Sequence, residues 1–177
     1  MSLQAILDVP FIPAKRLLSD IKLYLFWVVF TLGNLIFPMV VHTIPQGGMI
    51  FLPLFFFTLV AAYSEGLLLG VLVAIASPLI NHALTGMPML VMLPSVLFKS
   101  IFIAVVASSV AHYLKKISLP AIIFMVVAMQ VLGGLFDYVM TGNLERAIGS
   151  LKMGVPGMII MAVGGYVLLR IIAKIRE

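Results

Sequence analysis

Residues 91–116 read VMLPSVLFKSIFIAVVASSVAHYLKK. From Val91 to Leu114 the only charged side chain is that of Lys99, and two lysines follow directly at 115 and 116. A helix of about 20 predominantly apolar residues is long enough to cross the hydrocarbon core of a bilayer. Lys and Arg gather at the cytoplasmic ends of such helices. The segment therefore predicts a transmembrane helix that ends at the two lysines.

The composition of the whole chain extends this interpretation. Of its 177 residues, 63% are hydrophobic and 10% are charged, and the mean hydropathy is +1.25. A soluble domain keeps roughly a quarter of its residues charged to cover its surface. The chain therefore needs lipid as its solvent, and it is short enough to form one domain. It contains no cysteine, which excludes disulfides and thiolate-based metal or redox sites.

Five further apolar runs flank this segment, at residues 23–41, 49–63, 66–80, 119–140 and 153–173. We predict an all-α integral membrane bundle of six transmembrane helices that forms a single domain over residues 21–177. The runs at 49–63 and 66–80 are short, so tilted neighbours or helix ends inside the protein are expected. Residues 141–152 are predicted to be the most polar loop. Residues 1–20 are predicted to lie as an interfacial segment on the cytoplasmic face.

The distribution of Lys and Arg orients the bundle. With six spans, eight of the eleven basic residues share a side with both termini: Lys15, Arg16, Lys22, Lys115, Lys116, Arg170, Lys174 and Arg176. Arg146 and Lys152 lie on the other side. Because cytoplasmic loops carry the excess of Lys and Arg, both termini are predicted to be cytoplasmic. Membrane orientation thus accounts for the net charge of +5, and the expected partner is the lipid bilayer and not nucleic acid.

Motifs for catalysis are missing from the sequence. It has no G-x-x-x-x-G-K-S/T phosphate loop, no H-E-x-x-H and no G-x-S-x-G. The two carboxylates near the membrane, Glu65 and Asp137, are predicted to lie on opposite sides and cannot act as an acid/base pair. We therefore expect a protein that is not an enzyme.

Lys99 is the most informative residue. It lies about eight residues, or roughly 12 Å, from the outer end of its predicted helix. A cation at this depth is tolerated when it faces the bundle interior and has a partner. One interpretation is an ion pair with Asp137, which the flexible lysine stem can reach. The other is a contact with an anionic group of a substrate that enters from outside. The two carry equal weight and are compatible, since Asp137 can hold the lysine until a ligand competes.

Further polar residues gather at the same outer level: Asn34, Asn81, His82, Gln130, Tyr138, Asn143 and Arg146. Each alone is more often a cap, a loop residue or an interhelical hydrogen bond than a ligand contact. As a set, together with Lys99 and Asp137, they predict a substrate pocket that opens outward. The inner half of the bundle is apolar, which argues against a channel because a pore needs a polar lining throughout.

The histidines do not indicate a metal site. His112 is predicted at the cytoplasmic end, and His42 and His82 have no carboxylate or thiolate partner at the outer end. We interpret them as loop histidines, and expect neither a metal nor another cofactor.

Small residues recur at four-residue spacing in the third helix, at Gly66, Gly70, Ala74 and Pro78. Small residues let membrane helices approach closely, so the first interpretation is a packing stripe. The second is a face for docking another membrane protein.

The stretch 53–111 resembles the substrate-binding S components of energy-coupling factor (ECF) vitamin transporters. The resemblance rests on AAYSEGLLLG at 61–70, SPLIN at 77–81, LTGMP at 84–88 and MLPSV at 92–96. Six short spans with both termini inside also fit. The resemblance implies a multi-pass protein of the prokaryotic plasma membrane that captures a vitamin or cofactor precursor at its outer side. It also implies three partner subunits, a transmembrane coupling protein and two ATPases.

Two departures from the family pattern qualify what the resemblance implies, and the N-terminal sequence argues separately against a metal substrate. The first helix carries Trp27, Phe30 and Phe37 where the family often has an Ala-x-x-x-Ala stripe, so the docking contact cannot be carried over. Lys99 stands where relatives often have an acidic residue, which points to an anionic substrate. The sequence begins Met-Ser-Leu and lacks the Met-His start of the nickel and cobalt relatives.

Two alternatives use the same bundle differently. A membrane scaffold such as the cell-shape protein MreD is similarly small, apolar and six-spanning, but needs neither an outward polar pocket nor a buried cation. A self-sufficient secondary carrier is disfavoured because the sequence shows no internal repeat and no polar path through the inner half.

Overall fold

The computed structural model describes residues 8–41 and 43–176 of the chain. Within them, six helical segments are long and apolar enough to cross a bilayer. The predicted all-α membrane bundle is therefore confirmed. The predictions for residues 1–7 of the interfacial segment and for His42 lie outside the described residues.

Ten elements follow one another along the chain: β1 (Asp8–Pro10), α1 (Ile21–Val41), α2 (Gly47–Phe51), α3 (Pro53–Glu65), α4 (Leu67–Thr85), α5 (Leu93–Leu114), β2 (Lys116–Ser118), α6 (Leu119–Thr141), α7 (Leu144–Met153) and α8 (Val155–Arg176). The short α2 and α3 together make the second span, Gly47–Glu65. The other spans are α1, α4, α5, α6 and α8.

The first and the last described residues of the chain lie at the same end of the bundle. β1 pairs antiparallel with β2, and Lys116 Nζ donates a hydrogen bond of 2.6 Å to the carboxylate of Asp8. Arg176, at the end of α8, donates to the Ser64 carbonyl at 3.1 Å. We call this the ribbon end, made of residues 8–20, 64–66, β2 and the last two turns of α8.

The opposite end, which we call the cap end, consists of α2, residues 86–92 and α7. The eight basic residues predicted to share a side lie at or near the ribbon end, whereas Arg146 and Lys152 lie in α7. The two ends of the described chain, Asp8 and Arg176, therefore lie at the same end of the bundle. The assignment of that side to the cytoplasm remains a prediction.

The N-terminal segment from residue 8 packs along the ribbon end. Phe11 is buried against the ring of Tyr63, with ring centroids 6.2 Å apart. The backbone N–H of Ala14 donates to the Ser64 carbonyl at 2.9 Å. Three apolar side chains of the segment are exposed: Ile12, Leu17 and Leu18. These side chains are available to lipid, and the interfacial position of the segment stays a prediction.

α3 occupies the centre of the bundle. It packs against α1, α4, α5 and α8. Every residue from 58 to 65 is buried, and the seven from Thr58 to Ser64 are fully enclosed. A helix that is apolar on all faces is expected to be buried on all faces. The sequence of α3 therefore accounts for its central position.

The second span is broken, whereas the sequence predicted one continuous run at 49–63. Leu52 adopts a left-handed conformation with φ 51°, and Pro53 begins α3. Proline has no N–H to continue a preceding helix, so it suits the first position of a new one. On α8, a Cβ atom at Gly157 would lie 2.5 Å from the backbone of Phe51. The break between α2 and α3 thus lies where the backbone of α8 passes close to the backbone of α2.

The predicted loop at 141–152 is wrong, because residues 144–153 form α7. The side chain of Asn143 accepts a hydrogen bond of 2.9 Å from the backbone N–H of Arg146, which caps the new helix. Its apolar residues recur at helical spacing: Leu144, Ala147, Ile148 and Leu151. Ala147 is buried and Leu151 lies against Gly134 of α6, whereas Leu144 and Ile148 are exposed, so part of this apolar face packs on the bundle.

The four-residue stripe of small residues in α4 packs inside the protein. A Cβ atom at Gly70 would lie 2.8 Å from the Cα atom of Ala62 in α3. Ala74 and Pro78 are also buried. The packing interpretation is confirmed, and these buried residues do not offer a docking face.

Candidate functional site

The candidate site is built around an ion pair between two spans at the cap end. α5 supplies Lys99 and α6 supplies Asp137, and the lysine Nζ donates to the carboxylate at 2.8 Å. The side chains are 10% and 19% exposed, respectively. The ion pair predicted from the sequence is therefore present. It satisfies the requirement that a lysine inside a span faces a partner.

A glycine in α6 makes room for the lysine. Any side chain at Gly133 would collide with the stem of Lys99, which lies across this position on its way to Asp137. Gly134, the next residue, allows α7 to pack closely on α6, because a Cβ atom at Gly134 would lie 3.3 Å from Leu151 of α7. Sequence analysis missed this Gly-Gly pair. Its position one turn before Asp137 was the available signal.

Stacked aromatic rings lie directly beside the ion pair in sequence. Phe98 of α5 and Phe136 of α6 are parallel within 6°, and their centroids are 4.4 Å apart. Phe98 also stacks against Phe102 one turn further along α5. Offset or parallel ring pairs stabilise a contact beyond the area they bury. This stack fixes the spacing of α5 and α6 next to Lys99 and Asp137.

Gln130 connects α6 to the cap helix α7. Its side chain is buried, and Nε2 donates to the carbonyl of Ser150 at 3.1 Å. Its Oε1 atom has no hydrogen-bond partner among the described residues. Gly154 passes so close that a Cβ atom there would lie 2.5 Å from Gln130 Nε2. A buried acceptor without a partner is uncommon and is able to receive a donor from a bound molecule.

Asn34 and Asn81 belong to a different, enclosed cluster. Asn34 Nδ2 donates to Thr58 Oγ1 and Ser77 Oγ, both at 3.0 Å. Its Oδ1 accepts from the backbone N–H of Phe57 at 3.2 Å. Asn81 Nδ2 donates to the carbonyl of Asn34 at 2.9 Å. All these groups are used within the protein, so the cluster joins α1, α3 and α4 as interhelical hydrogen bonds.

The remaining predicted site residues lie at the surface of the cap end. His82 Nδ1 is 2.8 Å from the carbonyl of Pro88 and so fastens the loop after α4. Asn143 caps α7, and Arg146 is exposed on the same helix. Tyr138 is exposed beside Asp137. Of the nine predicted residues, the structure brings Lys99 and Asp137 into contact, with Tyr138 next to Asp137 in sequence. Gln130 lies two turns earlier on α6 and contacts α7. Asn34 and Asn81 form the separate enclosed cluster, and His82, Asn143 and Arg146 lie at the surface.

A second buried carboxylate at the ribbon end was not recognised as a network centre from the sequence. Glu65 is 1% exposed and accepts a hydrogen bond of 2.7 Å from Arg16 Nε. Arg176 Nη2 donates to its other oxygen. Arg16 also pairs with Asp20 at 2.9 Å. This network fastens the N-terminal segment and the end of α8 to α3, and its fully internal pairing gives it a structural role.

Two half-buried carboxylates outside the spans, Asp8 and Asp20, stabilise the ribbon end. The backbone N–H of Lys22 and then the guanidinium of Arg16 lower the pKa of Asp20. Hydrogen bonds from the side chains of Lys116 and Ser118 lower the pKa of Asp8. Their contribution to stability is present above the ordinary aspartate pKa and is lost as the pH falls through the lowered values. At neutral pH both remain charged and paired.

Comparisons of this chain with protein-family models, with curated proteins and with solved structures found no match. What the fold defines is a multi-pass helical membrane protein. The resemblance to ECF S components rests on the sequence stretches quoted above.

Proposed function

We propose that this chain is the substrate-binding subunit of an ECF-type importer in the prokaryotic plasma membrane. It captures an anionic vitamin or cofactor precursor at the cap end, which faces outward. The transmembrane coupling protein and two ATPase subunits then drive uptake. The proposal rests on the sequence resemblance and, above all, on the buried cation Lys99.

Lys99 supports the proposal because it is held by one partner that a ligand can replace. A lysine ammonium has three donors. Asp137 takes one of them, and it is the one hydrogen-bond acceptor of Nζ within the described residues. Asp137 keeps the cation neutralised in the membrane while the site is empty of substrate. An anionic ligand offers Lys99 the same compensation, and the displaced Asp137, whose side chain is 19% exposed, is then stabilised by solvent.

The cap helix α7 packs against α6, the helix that supplies Asp137. It is attached through Gln130 to Ser150 and through Leu151 to Gly134, and it carries two exposed cations, Arg146 and Lys152. It begins after Gly142, which has φ +65°. Lifting α7 frees the Gln130 amide, whose Oε1 atom has no partner among the described residues. The two cations steer an approaching anion, an effect felt mainly in the association rate at low salt.

The division of labour follows from what the chain lacks. Its sequence has no phosphate loop, so it cannot hydrolyse ATP in that way. Accumulation against a gradient then depends on partner subunits that do.

The test is ligand binding by the purified full-length chain in detergent. Small molecules that copurify are identified by mass spectrometry, and a panel of anionic vitamins is compared with neutral and cationic ones by thermal unfolding. At a ligand concentration about 100-fold above Kd, binding adds about 2.7 kcal/mol. For a chain of this size that raises the Tm by roughly 5–10 °C. We expect the rise with an anionic compound. A scaffold of the MreD type shows no rise with any compound, and a rise confined to cationic compounds contradicts the role of Lys99.

A further inference from the structure

A surface cavity lies at the ribbon end, far from Lys99 along the bundle. Its volume is about 460 Å³, within the range of about 300–1,000 Å³ that is typical of small-ligand sites. Val9 of β1 lines one side, and Tyr166, Val167, Arg170 and Lys174 are among the α8 residues that line the other. The cavity therefore combines apolar walls with two cations.

The two cations have no acidic partner in the described part of the chain. At this end the described carboxylates are all engaged elsewhere: Asp8 with Lys116, Asp20 with Arg16, and Glu65 with Arg16 and Arg176. Neither Arg170 nor Lys174 forms an ion pair with any carboxylate in residues 8–41 or 43–176. Within the described residues, no carboxylate balances the positive charge in this cavity.

Tyr166 holds one of these cations in place. The guanidinium of Arg170 lies 5.6 Å from the centroid of the Tyr166 ring, and Nη1 is 3.3 Å from the phenol oxygen. Stacking on an aromatic ring leaves the edge of a guanidinium free to bind a phosphate or carboxylate with two hydrogen bonds. Lys174 lies one helical turn further, on the same side of α8. The pair forms an anion site with a fixed and a flexible donor.

An apolar stripe leads from this anion site into the membrane. Four residues at four-residue spacing on α8 are each 48–59% exposed: Ile159, Val163, Val167 and Ile171. Val167 and Ile171 also line the cavity. The cations at the membrane surface are therefore continuous with an apolar track that reaches towards the middle of the bilayer.

We propose that this cavity binds an anionic phospholipid. The headgroup phosphate lies between Arg170 and Lys174, and an acyl chain follows the stripe from Ile171 to Ile159. Basic pockets beside transmembrane helices on the cytoplasmic side are suited to such headgroups. The apolar continuation selects a lipid over free phosphate, because a soluble anion leaves the stripe unused. This inference does not depend on the proposed transport function.

The experiment is native mass spectrometry of the full-length chain in detergent, titrated with phosphatidylglycerol, phosphatidylcholine and sn-glycerol 3-phosphate. We expect one phosphatidylglycerol to bind at least tenfold more tightly than phosphatidylcholine. Loss of each cation should weaken binding about fivefold, so Arg170→Gln with Lys174→Gln should weaken it about 25-fold. Lys22→Gln is the matched control, because it removes an exposed cation from the same end outside the cavity. It should leave the affinity within twofold.

Three outcomes overturn the proposal. One is equal affinity for the two lipids, another is wild-type affinity in the double variant, and the third is binding of glycerol phosphate as tight as that of the lipid. If the double variant does not fold, Lys174→Gln alone serves, since this side chain is exposed. It must then show about a fivefold loss. Crosslinking of residue 171 to a partner protein, without any preference for phosphatidylglycerol, assigns the surface to that partner and also refutes lipid binding.

Discussion

Replacing Lys99 with methionine isolates the charge of the central ion pair. Methionine keeps an unbranched stem over Gly133 but removes the ammonium that lies 2.8 Å from Asp137. Removing one partner of a buried pair costs about 3–5 kcal/mol because the other charge is left uncompensated. The Asp137 side chain keeps 19% exposure. We therefore expect the free energy of unfolding to fall by about 3 kcal/mol, near the lower limit.

The double variant separates structure from ligand binding. Adding Asp137→Asn to Lys99→Met removes the stranded carboxylate, so stability should return to within about 1 kcal/mol of wild type. If the lysine also binds the substrate anion, the refolded double variant still lacks a charge-assisted hydrogen bond. Such a bond contributes roughly 1.5–3 kcal/mol, so the affinity should fall about ten- to a hundredfold.

The assay is isothermal titration of the purified variants with the ligand that copurifies with the wild type, alongside unfolding in detergent. Lys152→Gln is the control, because it removes an exposed cation from the cap end. In roughly 0.15 M salt, where exposed charges are screened, it should change the affinity less than about threefold. Wild-type affinity in the double variant would refute a ligand role for Lys99 and leave it as a structural residue.

Three further predictions concern the bundle itself. A single cysteine introduced at Glu145 should react with an impermeant reagent from outside the cell; labelling only from the cytoplasm contradicts the orientation. Glu65→Ala should lower the free energy of unfolding by about 3–5 kcal/mol because it strands two arginines, whereas Glu145→Ala, at an exposed position, should change it by less than about 0.5 kcal/mol. Equal effects of the two substitutions contradict the network at the ribbon end. Gly70→Val should lower the Tm because the new side chain meets the backbone of Ala62. The control Gly149→Ala has open space around the new Cβ atom and should leave the Tm unchanged. An unchanged Tm for Gly70→Val contradicts the packing of α4.

The spans could be predicted from the sequence because lipid imposes a length. An apolar run must reach across the hydrocarbon core, so segments such as 91–114 are recognisable without any tertiary information. The positions of the charged residues also allowed predictions without tertiary information. The shared side of the termini follows from the basic residues, and the partner of Lys99 follows from the scarcity of carboxylates at its depth.

The break in the second span and the helix at 144–153 were not predictable from apolar length and charge alone. Leu52 breaks the second span in a left-handed conformation, although leucine has no preference for it and only Pro53 marks the place. The polarity of the segment at 144–153 predicts a loop, whereas its periodicity predicts a helix. Counting its apolar residues at helical spacing, together with the cap at Asn143, gives the correct assignment.

The composition of the site was predicted in part, for a physical reason. Depth along a helix is readable from sequence, whereas the direction in which a side chain points around the bundle is not. Asn34 and Gln130 were placed at the same level, but Asn34 is enclosed among three spans and Gln130 lies against α7. The network around Glu65 was not predicted, because Arg16 and Arg176 are distant from each other in sequence. Their side chains reach Glu65 only in the folded bundle.

Uptake by reconstituted liposomes tests the central claim most directly. The chain is incorporated alone, or together with the coupling protein and two ATPases of its own organism, and the copurifying ligand is supplied outside with ATP inside. We predict that the chain alone binds the ligand without concentrating it, and that accumulation appears only with all three partners and ATP. Concentration of the ligand by the chain alone would contradict the account, and so would the absence of uptake in the complete system.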